Sequence, residues 1–193
     1  MAISRWFLAM QFPELCSERL HLSKIEVSDR TSVFALFSDD AVTHYYDLSP
    51  FEKLEQADEL IELFNRRYDD QLGIRWAIRL KGASGLMGTC GFNGWNAKMK
   101  NAVIGYDLMP AYWGKGYARE AVALMLRSAF EGRLACGGLH RIQADTVPGN
   151  QASEVLLRRL GFKEEGLRRD AGFWKGQFHD LKCFGLLKSE FNA

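Results

Sequence analysis

The chain has 193 residues, of which 47% are hydrophobic and 12% aromatic, so it can bury a large core and is not a disordered segment. Its 25 Lys and Arg residues are nearly balanced by 24 Asp and Glu residues, which leaves a formal net charge of +1. This balance excludes a global field that would attract nucleic acid or an anionic membrane. We therefore expect a single domain over residues 1–193, with neither nucleic acid nor a membrane as partner.

The four cysteines form no CxxC pair and no Cys/His cluster, and the N-terminus shows no signal-like pattern. This usage predicts reduced thiols, a cytoplasmic protein and no metal site. Residues 6–10 form an apolar run far shorter than the roughly 20 residues of a membrane span. We expect residues 1–16 to form an N-terminal arm that packs or associates.

The first half of the chain alternates between strand and helix patterns. Alternating apolar residues over 18–25 predict a half-buried strand, and Ser28 with Asp29 then supplies helix-capping chemistry. After Pro50, apolar residues recur every three or four positions down to Tyr68, which predicts an amphipathic helix. Three strand-like runs separated by turn residues then predict an antiparallel meander, over residues 74–80, 86–92 and 102–109.

In the second half, an apolar face over residues 117–131 predicts a helix, and residues 140–147 predict a strand. Asn150 has the character of an N-cap for a helix that runs to Leu160, where Gly161 is the expected stop. Two final strands are predicted around residues 168–174 and 180–187. The order of elements indicates an α+β fold around one mixed sheet.

The segment richest in chemical information lies between the strand ending near Met109 and the helix beginning near Tyr117. Two glycines, Gly114 and Gly116, let the backbone approach a ligand closely, and Lys115 can add a positive charge. The helix start offers unpaired N–H groups and a positive dipole end, which suit a pyrophosphate. A tight turn between strand and helix explains the glycines equally well. The spacing matches neither the GxGxxG fingerprint nor the Walker loop.

Several short motifs follow one another in a specific order. They are SERLHL at 17–22, GYDLMP at 105–110, YWGKGYAREA at 112–121, HRI at 140–142, NQAS at 150–153, LGF at 160–162, and FW with FHD at 173–174 and 178–180. Together they resemble the GNAT acetyltransferases, and within that family the RimJ/RimL-type branch. The resemblance implies a mixed, mostly antiparallel central sheet that splays between its fourth and fifth strands, with helices on both faces.

The resemblance also implies acetyl-coenzyme A as cosubstrate, without a metal. The pantetheine arm would lie between the fourth and fifth strands, and loop amides would bind the pyrophosphate. The family begins this loop with Gln or Arg where this chain has Trp113. Because backbone amides do most of the binding, the departure leaves the expectation unchanged. The implied cofactor-binding residues are Leu108, Met109, Trp113, Gly114, Lys115, Gly116, Tyr117, Ala118, Arg119 and Asn150.

The implied catalytic residues are Ser153 and Asn150. Asn150 would contact the pantetheine arm, and Ser153 would lie near the thioester sulfur and hydrogen-bond or protonate the departing thiolate. Capping of the helix is the alternative explanation for this pair. Some related enzymes use a glutamate as base where this chain has Gly172, so we expect a water-relayed proton. His179 and Asp180 are adjacent on a strand and are expected to be structural.

Two residues, Tyr46 and Asn93, come from segments that line the acceptor groove in the family and are candidate substrate-binding residues. An aromatic residue can equally fill the core, and Asn93 with Gly94 can equally form a turn. The expected function is acetyl transfer to a primary amine by direct attack in a ternary complex. The acceptor would be the N-terminal α-amine of a protein, of ribosomal-protein type.

Two alternatives remain open on the sequence. One is an acetyltransferase for a small amine, such as a polyamine or an aminoglycoside, with Asp39–Asp40 and Asp69–Asp70 as candidate acidic groups. The other is a non-catalytic acyl-coenzyme A-binding module. The protein is expected to be a monomer or a homodimer.

Overall fold

The computed structural model describes residues 12–192. One mixed sheet contains the strands β1 (Leu15–Cys16), β2 (Leu20–Lys24), β3 (Ile74–Leu80), β4 (Leu86–Asn96), β5 (Asn101–Leu108), β6 (Arg141–Thr146), β7 (Lys163–Trp174) and β8 (Gln177–Leu187). Their order across the sheet is β1-β2-β3-β4-β5-β6-β8-β7. Neighbouring strands are antiparallel, except for the parallel pair β5 and β6.

Helices cover both faces of this sheet, which confirms the predicted fold class. They are α1 (Arg30–Phe37), α2 (Asp40–Thr43), α3 (Glu55–Asp69), α4 (Tyr117–Phe130) and α5 (Gln151–Arg159). Strand β3 explains the arrangement, because successive side chains of a strand point to opposite faces. Trp76 and Ile78 pack in the core that includes α4 and α5, whereas Ala77 packs in the core formed with α1 and α3.

The sheet opens between β5 and β6. These strands pair only where Asn101, Ala102 and Val103 face residues 141–143. Farther along, β5 continues on β4 and β6 continues on β8, but β5 and β6 no longer pair with each other. The predicted splay between the fourth and fifth strands is therefore confirmed. Because the short β1 is counted first, the predicted fourth and fifth strands are β5 and β6.

Several features differ from the sequence expectations, including β1, which was not predicted, and β4, which extends to Asn96. Helix α3 begins at Glu55, several residues after Pro50, and the short helix α2 was not predicted. Strands β7 and β8 are longer than predicted. Ten of the twelve residues of β7 are exposed and half are charged, without apolar alternation, so the strand carries no period of two in its sequence. It lies at an edge of the sheet, where burial does not impose such a pattern.

The predicted N-terminal arm is only partly covered, since residues 1–11 lie outside the described residues. The remainder packs on the core. Phe12 contacts the rings of Tyr68 and Trp76, and Trp76 Nε1 donates a hydrogen bond to the carbonyl of Pro13 at 2.7 Å. None of the helices within residues 12–192 has the length and apolar character needed to cross a bilayer.

Candidate active site

A cavity of about 470 Å³ lies where β5 and β6 separate. Its lining includes four of the residues singled out in the sequence, which are Tyr46, Asn93, Asn150 and Ser153. Tyr46 follows α2, Asn93 belongs to β4, and the other two lie at the start of α5. The splay therefore brings predicted catalytic and predicted acceptor residues into one space.

The first turn of α5 forms one end of the cavity. Asn150 is the N-cap, and its Oδ1 accepts a hydrogen bond from the Ser153 N–H at 3.2 Å, which satisfies one free amide of the helix start. The Ser153 side chain also interacts with the hydroxyl of Tyr106. Tyr106 donates its hydroxyl to the Ser153 carbonyl at 3.4 Å. Burial raises the pKa of Tyr106 to about 12, so this hydroxyl stays protonated.

The glycine-containing loop lies before α4. Gly114 and Gly116 have φ values of +74° and +79°, in the left-handed region that glycine tolerates best, and Gly116 is the N-cap of α4. A Cβ at Gly114 would meet no atom within 4 Å, so the loop faces open space. Arg19 donates to the carbonyl of Lys115 at 3.2 Å and pairs with Glu120 at 2.5 Å. Arg19 thus holds the loop in place from one side, and the loop amides near Gly114 face open space.

Residues 108–113 connect this loop to β5. Trp113 Nε1 donates to the carbonyl of Leu108 at 2.6 Å, whereas the Met109 N–H bonds back to Met87 of β4 at 2.9 Å. The indole of Trp113 therefore uses a backbone acceptor that the sequence assigned to pantetheine. Lys115 Nζ donates to the carbonyl of Ala111 at 2.9 Å. The ammonium group of Lys115 is therefore held against the backbone just before the loop.

A second cavity, of about 520 Å³, lies beside the glycine-containing loop and is lined by Gly116. Its walls carry a surplus of cationic side chains, from Arg19, Arg119, Arg158 and Arg159. Arg119 extends from the first turn of α4, next to Tyr117 and Ala118, and its side chain has no ion pair within residues 12–192. The open amides and the arginines fit the phosphate groups of a coenzyme A molecule.

Among residues 12–192, Asp47 and Asp145 are the carboxylates that line the first cavity, and Asp107 contacts the lining residue Arg75. Asp107 forms a buried ion pair with Arg75 and accepts hydrogen bonds from Thr89 N and Oγ1 at 3.0 Å. Asp145 pairs with Arg168 at 2.5 Å. At Gly172, where the family resemblance implied the glutamate of some enzymes, a side chain would collide with the ring of Trp174, which lines the cavity.

No cysteine or histidine of residues 12–192 lines the first cavity. Cys90 is fully buried, and burial raises the pKa of its thiol to about 12. Across residues 12–192, no cluster of three or more His, Cys, Asp or Glu side chains could hold a metal ion. His179 stacks on Trp174 with ring centroids 4.1 Å apart, and Asp180 accepts the N–H of Asp170 at 2.9 Å. Both have structural contacts.

The sequence profile of the Acetyltransferase (GNAT) domain matches residues 19–163, which is most of the chain. The chain belongs to the GNAT acetyltransferase family. It is an acetyl-coenzyme A-dependent N-acetyltransferase, and acetyl-coenzyme A is its acetyl donor. The splayed β5 and β6 and the open glycine loop agree with this membership.

Individual proteins that are similar to this chain are also N-acetyltransferases by name. The chain is 36% identical to YoaA of Bacillus subtilis, an uncharacterized N-acetyltransferase, over 92% of this chain and 98% of that protein. It is 31% identical to YdaF of Bacillus subtilis, provisionally named a ribosomal N-acetyltransferase, over 69% of this chain and 70% of that protein. A Salmonella typhimurium acetyltransferase that modifies the N-terminal serine of ribosomal protein L7/L12 has the same fold, with a TM-score of 0.80 and 20% identity over 91% and 99% of the two chains.

Several lining residues of this GNAT enzyme were missed in the sequence. Arg75, Tyr106 and Trp174 line the cavity, and Arg67 does so from α3. A signal for Arg75 was present, because a charged residue in an otherwise apolar strand needs a buried partner. Tyr106 and Trp174 lie within quoted motifs, but nothing in the motif letters indicated that their rings face the cavity.

Proposed function

We propose that this N-acetyltransferase acetylates the N-terminal α-amine of a protein, of ribosomal-protein type, in the cytoplasm. The observation that carries the proposal is the chemistry of the cavity end around Tyr46 and Asn93. It offers hydrogen-bond donors, and the buried carboxylate of Asp107, which does not line the cavity, is bound to Arg75 and Thr89. A peptide N-terminus has a carbonyl oxygen beside its amine, whereas a protonated polyamine has only donors. The similarities to YdaF and to the L7/L12 enzyme support the same acceptor class.

The cofactor contacts are part of the proposal. Acetyl-coenzyme A would place its pantetheine arm between β5 and β6, against backbone groups of Leu108 and Met109 and the side chain of Asn150. Its pyrophosphate would bind the amides of residues 114–118, because the Trp113 N–H already bonds to the Pro110 carbonyl at 3.0 Å. Arg119 and the other arginines of the second cavity would neutralise the remaining phosphate charge. The bond from Trp113 to Leu108 would have to open if pantetheine takes that carbonyl.

For the chemical step we propose direct attack in a ternary complex. The unprotonated amine forms the new bond to the acetyl carbon, and the carbon–sulfur bond breaks. The Ser153 hydroxyl hydrogen-bonds or protonates the departing thiolate, and a water removes the proton from the amine. Ser153 is suited to this role because it lines the cavity at the start of α5, where its side chain interacts with the hydroxyl of Tyr106. The buried thiol of Cys90, with its raised pKa, is a poor nucleophile, which favours transfer without an acetylated enzyme.

A small-amine acceptor is the second candidate. Its acidic groups would have to lie in the cavity, but Asp39 caps α2 by accepting the Ala41 N–H at 2.8 Å, and Asp40 lies in the first turn of that helix. Asp69 and Asp70 end α3. None of these four carboxylates lines the cavity. Asp47, at its rim, is the one observation in favour of a cationic substrate. A non-catalytic module is not retained, because the chain is an N-acetyltransferase.

A competition assay tests the acceptor. Equal concentrations of a peptide beginning with Ala or Ser, its N-blocked form carrying one lysine, and spermidine are supplied near pH 7.5. The free peptide should react fastest, because an α-amine with a pKa of about 7.7 to 8.0 is far less protonated than an amine near 10.4. Faster turnover of spermidine, or equal rates on the blocked peptide, would contradict the proposal.

Calorimetry tests the cofactor site through Gly116→Val. The new side chain adds bulk beside the open amides, so affinity for acetyl-coenzyme A should fall while the protein stays folded. The matched control is Gly82→Val in the turn after β3, since Gly82 has a similar φ of +81° and a Cβ there would meet no atom within 4 Å, while one at Gly116 would make only an ordinary contact of 3.6 Å with Arg19 Nη2. Both variants carry the same backbone strain. Equal affinities in the two variants would contradict the loop assignment.

A further inference from the structure

Arg75 is the buried centre of a polar cluster at the acceptor end of the cavity. It is 4% exposed and lies on β3. Its guanidinium pairs with Asp107, and its Nε donates to Thr89 Oγ1 at 2.7 Å. Asp107 is 8% exposed, and its two oxygens also accept from Thr89. The charges of Arg75 and Asp107 thus neutralise each other inside the protein, and the carboxylate that lines this end of the cavity is Asp47.

The remaining N–H groups of Arg75 reach the two candidate acceptor residues. Nη1 donates to Asn93 Oδ1 at 3.2 Å, and Nη2 donates to the Tyr46 hydroxyl oxygen at 3.4 Å. A guanidinium can only donate, so Asn93 must turn its oxygen to Arg75 and its amide N–H groups away from it. Tyr46 likewise accepts from Arg75 and keeps its own proton free to donate.

Packing holds this arrangement in place. A Cβ at Gly105 would lie 2.8 Å from Arg75 Nη1 and 2.8 Å from Asn93 Nδ2, so both side chains lie directly over this glycine of β5. Arg67 donates to the backbone carbonyl of Asn93. Asn93 is therefore fixed through both its backbone and its side chain. Burial raises the pKa of Tyr46 to about 12, so its hydroxyl remains a donor at neutral pH.

We propose that Arg75 is a positioning residue, which orients the donors of Asn93 and Tyr46 toward the first carbonyl oxygen of the acceptor. This inference rests on the proposed function and deepens it, because it names the group of the acceptor that the enzyme recognises beside the amine. Within residues 12–192, neither Asn93 Nδ2 nor the Tyr46 proton has another partner, so both are available to a substrate. An acceptor without an oxygen at this place would leave these donors unpaired, which costs affinity.

The test compares two acceptors in kcat and KM. One is a peptide with a free N-terminal Ala, and the other is the same peptide with an (E)-alkene in place of its first peptide bond. Wild-type KM should be about 10-fold lower for the carbonyl peptide, the scale of one satisfied hydrogen bond. In Arg75→Lys the charge beside Asp107 is kept but the fork is lost, and the preference should fall to about twofold. The KM for acetyl-coenzyme A should not change.

Two further variants separate positioning from folding. Arg79→Lys changes another buried arginine of β3 that does not line the cavity, and it should keep the wild-type preference. Asn93 is exposed, so Asn93→Asp should fold even if Arg75→Lys does not. It replaces the free amide donor with an oxygen, which should raise the peptide KM about 10-fold and lower that of spermidine.

The outcomes distinguish the two proposals. A wild-type enzyme that acetylates neither peptide overturns the proposed function, and this inference with it. A wild-type enzyme that acetylates both, with the preference unchanged in Arg75→Lys or the KM values unchanged in Asn93→Asp, overturns the positioning role alone.

Discussion

Strand β3 carries two buried Arg–Asp pairs four residues apart, and they differ in how completely the arginine is satisfied. Arg79 pairs with Asp29 through Nη1 at 2.8 Å and Nη2 at 2.7 Å. Its Nε donates to Ser23 Oγ at 2.9 Å, and its other N–H groups reach the carbonyls of Ser84 and Lys24. All five donors of Arg79 therefore have a protein acceptor.

Arg75 is equally buried, but four of its five donors have partners within residues 12–192, and two of those partners line the cavity. The comparison indicates that a buried ion pair by itself does not mark a functional site. In a structural pair such as Arg79–Asp29, which we call the closed pair, every donor has a protein acceptor. In the Arg75–Asp107 pair, which we call the open pair, two partners of the arginine line a cavity and can contact a ligand.

The largest expected effect is on stability at the closed pair. Arg79→Ala leaves Asp29 buried without a counter-charge, so the free energy of unfolding should fall by about 3–5 kcal/mol. Urea unfolding at pH 7.5 measures this. Arg133→Ala, which removes an exposed pair with Glu131, should change it by about 0.5 kcal/mol or less. A loss below about 1 kcal/mol in Arg79→Ala would remove the distinction between the two pairs.

A cavity residue should behave in the opposite way. Ser153→Ala should lower kcat by about 10-fold to 1,000-fold, the scale of losing one positioned proton donor or hydrogen bond. Coenzyme A affinity and stability should change much less, because Asn150 caps α5 through the Ser153 backbone N–H and not through its hydroxyl. Steady-state kinetics and calorimetry measure the two quantities. An unchanged kcat would exclude Ser153 from the chemical step.

Replacing whole pairs by apolar residues tests the comparison directly. Buried ion pairs exchanged for well-packed apolar residues are often neutral in stability. Arg79→Met with Asp29→Leu should therefore fold and keep wild-type kcat/KM. Arg75→Met with Asp107→Leu should also fold, but with kcat/KM for a peptide acceptor lowered about 10-fold to 100-fold, since Asn93 and Tyr46 lose their orientation. Equal activities of the two double variants would contradict a role of Arg75 in orienting Asn93 and Tyr46.

The smallest effect is the pH dependence of stability that arises from Tyr46, a hydrogen-bond partner of Arg75 in the open pair. Burial raises the pKa of Tyr46 to about 12, above its unfolded value of about 10. The unfolded chain then loses this proton first, so stability is unaffected below pH 10 and falls as the pH rises from 10 to 12. Tyr46→Phe should lessen this fall, while Ser23→Ala at the closed pair should not. Urea midpoints between pH 8 and 12 measure both, and identical slopes would contradict the assignment.

Local periodicity made the helices α3 and α4 and the strands β3 to β5 predictable, because each has an apolar pattern of its own. The cap at Asn150 and the stop at Gly161 were also predictable, since capping depends on neighbours in sequence. The motif resemblance located the splay. These features do not require knowledge of how distant strands align.

The polar cluster around Arg75 could not be predicted, because it depends on strand register. Arg75 lies opposite Gly91, which in turn lies opposite Gly105, and the next pair of β4 and β5 on the same face of the sheet is Thr89 with Asp107. A shift of one residue on any of these strands would separate Arg75 from Asp107. The sequence brought Tyr46 and Asn93 forward as candidates, but only the register explains why both face one cavity.

The two edges of the sheet have a consequence for behaviour at high concentration. β1 has two residues, and β7 is broken by bulges near Gly166 and before Gly172, with Asp170 in the left-handed region. Long regular edges present unpaired N–H and C=O groups that can template fibrils, and short or bulged edges do not. This protein should therefore resist open-ended strand association in crowded solution, although β7 is twelve residues long and almost wholly exposed.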